Sequence, residues 1–191
     1  MEKIRIGSFN CNGMNEKKMY CIKDIFEKKK LDILFLQETH FNKNEELEKL
    51  KEIFGVNKYE FLFRLSENKT KGVGLIFKNN FLIESFKFFE NRIVCFETNF
   101  RKDKFLVMCI YAPNFINEQK IFIEELFKMN LQKYKNIIIG GDFNCEMSDK
   151  ENKKINEKEW ERLVKTLKLK EIENNSNKNY TWLSGDRKSN I

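Results

Sequence analysis

Histidine and proline each occur once in the 191 residues, at His40 and Pro113, and none of the five cysteines (Cys11, Cys21, Cys95, Cys109, Cys145) stands in a CxxC spacing. A disulfide-stapled secreted domain is thereby set aside, and a reduced, intracellular setting is expected. No apolar stretch approaches the roughly 20 residues a membrane-spanning helix needs. The N-terminus opens on a strand pattern instead of the charged and then apolar profile of a leader. A soluble chain with no membrane partner follows as an expectation. Arginine is scarce as well, at six of the 36 basic side chains. Internal repeats and linker-like segments are lacking, so the chain reads as one domain, 1–191.

What is present is core-forming material. Hydrophobic residues make up 41% and the chain carries 19 Phe, enough to pack more than one layer. The net charge of +7 favours a polyanionic partner. A second source for it exists: Lys, Asn, Ile and Phe are all abundant, as an A/T-rich coding bias would make them, and the charge alone leaves both readings open. The run Lys28-Lys29-Lys30 suits a helix C-terminus, where cations complement the macrodipole.

Periodicity predicts a strand over Lys3–Asn10 with Ile4, Ile6, Ser8 and Asn10 on one face. A helix follows from about Asn15 to Lys30 on a stripe of Met19, Ile22, Ile25 and Phe26, then a strand over Ile33–Gln37. A second helix opens at Asn44 with Leu47, Leu50, Ile53 and Phe54 inward and Gly55 as its C-terminal cap. Strands are predicted at Glu60–Arg64, Gly72–Phe77, Phe81–Phe89, Arg92–Thr98 and Lys104–Tyr111, most simply as one meander, with turns at Glu90-Asn91 and Asn99–Asp103. Asn117 is expected to cap a helix carrying Ile121, Leu126 and Met129, and Ile137-Ile138-Ile139 to form a strand buried on both faces. A surface loop over Glu146–Glu157, a helix with Trp160, Leu163, Val164 and Leu167 on one face, and a short strand at Tyr180–Leu183 complete the chain.

Four of the apolar runs end on a polar residue suited to a metal or a phosphate: Asn10, Glu38, Tyr111 and Asp142. Strands that stop at one edge deliver such side chains to one place, which is the layout of a metal-dependent hydrolase. Each residue alone admits a second reading. Glu38, in Gln37-Glu38-Thr39-His40, is costly beside an apolar strand unless a cation compensates it, and a salt bridge would serve as well as magnesium. Gly140-Gly141-Asp142-Phe143-Asn144 lets a substrate approach the backbone and aims two polar side chains to one side, but it also fits a plain turn. Tyr111-Ala112-Pro113-Asn114 also suits a rigid strand exit, and His40, the one candidate histidine for a general base, suits packing beside Glu38 as well.

Taken together and in order, Ser-Phe-Asn-Cys-Asn-Gly (8–13), Gln-Glu-Thr-His (37–40), Gly-Val-Gly-Leu (72–75), Ile-Tyr-Ala-Pro-Asn (110–114), Gly-Asp-Phe-Asn (141–144) and Tyr-Thr-Trp (180–182) resemble the endonuclease/exonuclease/phosphatase superfamily of the exonuclease III type. Within it they look most like the endonuclease domain of non-LTR retrotransposon polyproteins. The resemblance implies a four-layered α/β sandwich, two mixed β-sheets flanked by helices, and Mg2+-dependent hydrolysis of a phosphodiester, with Mn2+ as a substitute ion. It makes Glu38 the metal ligand with Asn10 beside it. Asp142 would activate the attacking water, and Asn144 and Tyr111 would hold the scissile phosphate; Asn12, Asn114 and Thr181 would be substrate contacts. The expected partner is DNA, nicked by a module of a longer polyprotein with a reverse transcriptase, inside the cell and, if the retroelement is eukaryotic, in the nucleus. Alternatives within the resemblance are a phosphoesterase for abasic DNA, RNA or phosphorylated small molecules, and a non-catalytic remnant that only binds nucleic acid. The family's later Ser-x-Ile-Asp and Ser-Asp-His segments have no counterpart before Ile191. A chain lacking its last strands, poorly active and prone to aggregate, is therefore expected.

Overall fold

The computed structural model describes residues 4–55, 57–67, 70–100, 103–145, 155–170, 180–184 and 187–190, the side chains of 155–156, 180–184 and 187–190 excepted. It divides into two compact units interleaved in sequence, one of Met1–Tyr111 with Tyr134–Asp142 and one of Ala112–Lys133 with Phe143–Ile191.

The first unit holds two mixed four-stranded sheets. One contains β1 (Ile6–Asn10), β2 (Ile33–Gln37), β3 (Tyr59–Arg64) and β4 (Val73–Lys78) in the order β1-β2-β4-β3, with β1 parallel to β2 and the other pairs antiparallel. The other contains β5 (Leu82–Phe89), β6 (Ile93–Phe100), β7 (Asp103–Tyr111) and β8 (Asn136–Asp142) in that order, antiparallel except for the parallel pair β7–β8. The α/β class with two mixed sheets is as expected, but the single meander is not. β4 crosses back to lie between β2 and β3, because its uninterrupted run Val73-Gly74-Leu75-Ile76-Phe77 is buried throughout and belongs at the centre of a sheet.

Alternation along β2 and β4 feeds two cores. Ile33, Phe35, Val73, Leu75 and Phe77 meet Val94, Phe96, Val107 and Cys109 of the second sheet, where Phe77 stacks on Phe96 at 4.4 Å. Leu34, Leu36 and Ile76 face the other way, against α1 (Glu16–Lys28) and α2 (Asn44–Phe54). Helix α1 starts at an Asn15 cap and buries Met19, Ile22 and Phe26, whereas Ile25 is 42% exposed, one residue off the buried stripe. Ile4 and Ile6 pack against the core between the sheets, so the face of β1 that carries Asn10 is the one read from the sequence. β8 is half-buried along its length, not buried on both faces, and among the described residues it pairs only with β7. Asn99 and Phe100 extend β6 and Asp103 opens β7, a longer ladder than the predicted turn allowed.

In the second unit, α3 (Ile116–Lys128) buries Gln119, Phe122, Ile123 and Leu126. Its N-cap is Phe115, without a side-chain bond, and Asn117 lies inside the first turn; of the predicted stripe Leu126 is buried as expected, whereas Ile121 is 62% exposed. In α4 (Ile155–Thr166), Trp160 and Leu163 are buried, and Phe122 and Phe143 pack against the Trp160 ring. Ile155–Glu157, predicted as loop, belong to this helix, and 146–154 lie outside the described residues. β9 (Tyr180–Ser184) pairs antiparallel with β10 (Arg187–Asn190), a strand the sequence pattern did not mark. No helix among the described residues is long and apolar enough to cross a membrane.

Candidate active site

In the first unit three strand ends meet through one side chain. Asn10, the last residue of β1, donates from Nδ2 to Glu38 Oε1 at 2.7 Å and to Asp142 Oδ2 at 2.9 Å, while its Oδ1 accepts the backbone N–H of Asn12 at 2.9 Å. Glu38 follows β2 and Asp142 ends β8, so the amide ties a carboxylate from each sheet to the edge of β1. Two carboxylates this close repel, and N–H groups aimed at both offset the repulsion.

The loops beyond β1 and β2 continue the ladder of the strands. Cys11 N–H donates to Gln37 O, Gly13 N–H to Glu38 O and Met14 N–H to Thr39 O, each at 2.8–3.0 Å. On the other side, Thr39 N–H reaches Gly72 O and His40 N–H reaches Lys71 O. Gly72, at φ +89°, is a position for glycine alone, since a Cβ there would stand 2.6 Å from Thr39 Oγ1. Glu38 and His40 both take left-handed backbone, at φ +49° and +57°, a conformation that persists only where the surroundings enforce it. His40 Nε2 lies 3.7 Å from Glu38 Oε2, and a Cβ on Gly13 would sit 3.0 Å from His40 Nδ1, so the ring packs between Glu38 and the Gly13 turn.

Tyr111 ends β7 beside the same carboxylates and is 8% exposed. Burial, then the charge of Glu38 and a hydrogen bond to it, push the phenol up to about 12 from its ordinary 10, against a smaller opposing effect of Arg92. Its hydroxyl therefore stays protonated and donating. The Arg92 guanidinium lies 5.2 Å from the centre of the Tyr111 ring and donates to Tyr111 O at 3.1 Å, clamping that strand end by stacking and by hydrogen bonding.

In the second unit, Asn144 Nδ2 donates to Asn114 Oδ1 and to Ala112 O, both at 2.8 Å. The fully buried Gln119 donates to Pro113 O and Asn144 O, both at 2.7 Å, and so fastens the two segments that carry these asparagines. Of the sequence-predicted residues, then, Asn10, Glu38, Tyr111 and Asp142 come together in the first unit with Asn12 on the adjoining turn, and Asn114 and Asn144 come together in the second. Thr181 is on β9, where its side chain lies outside the described residues.

The donor set suits a hard divalent cation. Glu38 and Asp142 offer carboxylate oxygens, and Mg2+ requires only one or two of these because it keeps several waters. Among the described residues no group of three or more His, Cys, Asp and Glu side chains that could hold a metal ion is assembled. Three contributors escaped the sequence reading: Arg92, Gln119 and Lys18, whose Nζ donates to Cys11 O, Asn12 O and Gly13 O. Arg92 carried a signal, as an Arg in a chain whose composition favours Lys.

Known proteins place this architecture. The profile of the Endonuclease/Exonuclease/phosphatase family matches residues 7–185. Among solved structures, the endonuclease domain of TRAS1, a telomere-specific non-LTR retrotransposon, superposes with a TM-score of 0.67 at 12% identity, covering 98% of this chain and 81% of that one. The AP endonuclease LMAP from Leishmania major gives 0.63 at 13% identity over 86% of this chain and 66% of its own, and an AP endonuclease from Archaeoglobus fulgidus gives 0.59 at 21% identity over 77% and 60%. The chain thus spans slightly less than two thirds of the length of these two AP endonucleases. No curated protein matches the sequence. With the family profile matching all but the two ends, this chain belongs to the Endonuclease/Exonuclease/phosphatase family.

Proposed function

We propose that the Asn10, Glu38 and Asp142 cluster hydrolyses phosphodiester bonds with Mg2+, for which Mn2+ substitutes, and that the substrate is DNA nicked by a retrotransposon-type endonuclease module. The observation that carries the reading is the Asn10 amide bonded to both carboxylates at the ends of strands from two sheets. Further support comes from the net charge of +7 and from the extent of the match to the TRAS1 domain. A nuclear location and a longer polyprotein with a reverse transcriptase belong to the same proposal.

Held by Glu38 beside Asn10, the divalent ion would supply positive charge against the charge that develops on the phosphate oxygens. Asp142, fixed by Asn10, accepts the proton of the water that attacks phosphorus in line with the leaving oxygen. Tyr111 Oη, protonated to about 12, donates to a phosphate oxygen; a phosphate contact for Asn144 rests on the family resemblance alone, because both of its Nδ2 protons are given to Asn114 Oδ1 and Ala112 O. Substrate contacts for Asn12, Asn114 and Thr181 rest on the family resemblance alone.

Tyr111→Phe removes one such donor and keeps the ring under Arg92, so kcat is expected to fall about 10²-fold with little change in KM. Because its pKa is raised, the tyrosine contribution is complete below the ordinary value of 10 and is lost as pH rises through about 12. The wild-type rate should accordingly show no tyrosine ionisation between pH 6 and pH 9 in stopped assays.

Supercoiled plasmid incubated with the chain at low salt tests the proposal. Open circles that accumulate with Mg2+ or Mn2+ and not with chelator are expected. Cleavage confined to abasic duplex, or hydrolysis of phosphorylated small molecules alone, would overturn the substrate; binding to DNA without cleavage in either metal would overturn the enzyme and favour a remnant that only binds.

A further inference from the structure

Lys18 stands where helix electrostatics disfavour it. It is the third residue of α1, in the first turn, where the macrodipole is positive and acidic side chains are preferred. Its backbone N–H binds the Asn15 cap at 3.0 Å, so the residue is held by the helix start. From there the half-buried side chain folds back over the β1–α1 turn, and its Nζ donates to Cys11 O at 2.7 Å, Asn12 O at 3.1 Å and Gly13 O at 2.7 Å. An ammonium has three protons, and three consecutive carbonyls receive them.

Those carbonyls converge because Asn12 and Gly13 take left-handed backbone in succession, at φ +43° and +78°. The same two residues carry the bonds that define the cluster: Asn12 N–H satisfies Asn10 Oδ1, and Gly13 N–H satisfies Glu38 O. Without a cation under them, three carbonyls pointing together repel, and the turn has every reason to relax. Relaxation would release Asn10 Oδ1 and let the amide rotate away from the carboxylates.

We infer that Lys18 is a positioning residue: its ammonium, seated on the carbonyls of residues 11–13, locks the turn that keeps the Asn10 amide between Glu38 and Asp142. The inference rests on that cluster being the reaction site, and its test separates the two. In Lys18→Met, which keeps the length and loses the protons, amide hydrogen exchange at Asn12 and Gly13 accelerates about tenfold or more while the central strands β2 and β7 keep their protection. With DNA and Mg2+, kcat falls about 10²-fold and KM stays within about twofold, the pattern of misplaced chemistry rather than lost binding. In Lys18→Ala, propylammonium restores both the protection and the rate, and NaCl at equal ionic strength restores neither.

Unchanged exchange at Asn12 and Gly13 overturns the inference, whatever the activity. So does acceleration spread equally through β2 and β7, or a loss that propylammonium does not repair, since either makes Lys18 a general stabiliser. If the turn loosens and is repaired as described but the wild-type chain cuts no DNA, the positioning of the turn stands and the nuclease reading falls.

Discussion

Asn10→Asp lowers the nicking rate at pH 7 by about 10²-fold or more, and the loss shrinks as the pH is raised. The wild-type amide gives an N–H to Glu38 Oε1 and another to Asp142 Oδ2. The substitution replaces both donors with a third acceptor at distances of 2.7 and 2.9 Å from the existing carboxylates. Three carboxylates in hydrogen-bond contact cannot all ionise at neutral pH, so one takes up a proton and its pKa rises. If that proton settles on Asp142, no base remains for water; if on Glu38, the metal loses its ligand. Asn10→Ala, which deletes the donors without adding charge, should lose rate without the shift in pH dependence. Measured kcat against pH for the two variants separates charge from geometry, and an Asn10→Asp enzyme with wild-type rate at pH 7 would contradict the bridging role.

The second large effect is on folding. Gly141 sits at φ +138° next to β7, and a Cβ there would stand 1.9 Å from Ile110 O, a backbone atom that cannot swing aside. Gly141→Ala must therefore move β8 away from β7, breaking the parallel pairing that delivers Asp142 opposite Tyr111. Overpacking of this kind costs about 1–3 kcal/mol or more, and left-handed backbone about 1–2 kcal/mol further for an alanine. For a chain of this size the sum corresponds to a fall of about 10 °C in the thermal midpoint. Gly55 provides the control: its φ is +91° but no atom lies within 4 Å of the added Cβ, so Gly55→Ala should show the conformational cost alone, about 2–8 °C. Equal shifts in the two variants, read by circular dichroism, would show that contact with Ile110 O is not what fixes glycine at 141.

The strand that ends before Glu38 was legible residue for residue, Ile33–Gln37, because five buried positions in a row leave no other period to choose. The face of β1 carrying Asn10 was legible from alternation, through Ile4 and Ile6. Sheet membership was not. A strand pattern states what a strand buries, not whom it pairs with, and β4 could be put beside β2 only by the structure. The α3 stripe was read only in part, with Leu126 placed correctly and Ile121 not, and one of its buried positions is Gln119, whose burial is supported by two carbonyls far apart in sequence. Hydropathy cannot mark such a residue as inward. Lys18 was hidden in the same way: it acts through backbone carbonyls, and the turn geometry that gathers three of them above it leaves no trace in composition.

The central claim, that the Asn10, Glu38 and Asp142 cluster is where a phosphodiester is cut, is tested most directly by nicking of supercoiled plasmid with saturating Mg2+, wild type beside Glu38→Gln. Glutamine keeps an oxygen for the Asn10 amide, so the fold and the cluster survive while the charge that holds the cation is removed. Nicking by the wild-type chain that falls at least about 10²-fold in the variant, with an unchanged thermal midpoint, is the predicted result. A Glu38→Gln chain that nicks as fast as wild type would place the chemistry elsewhere in the molecule.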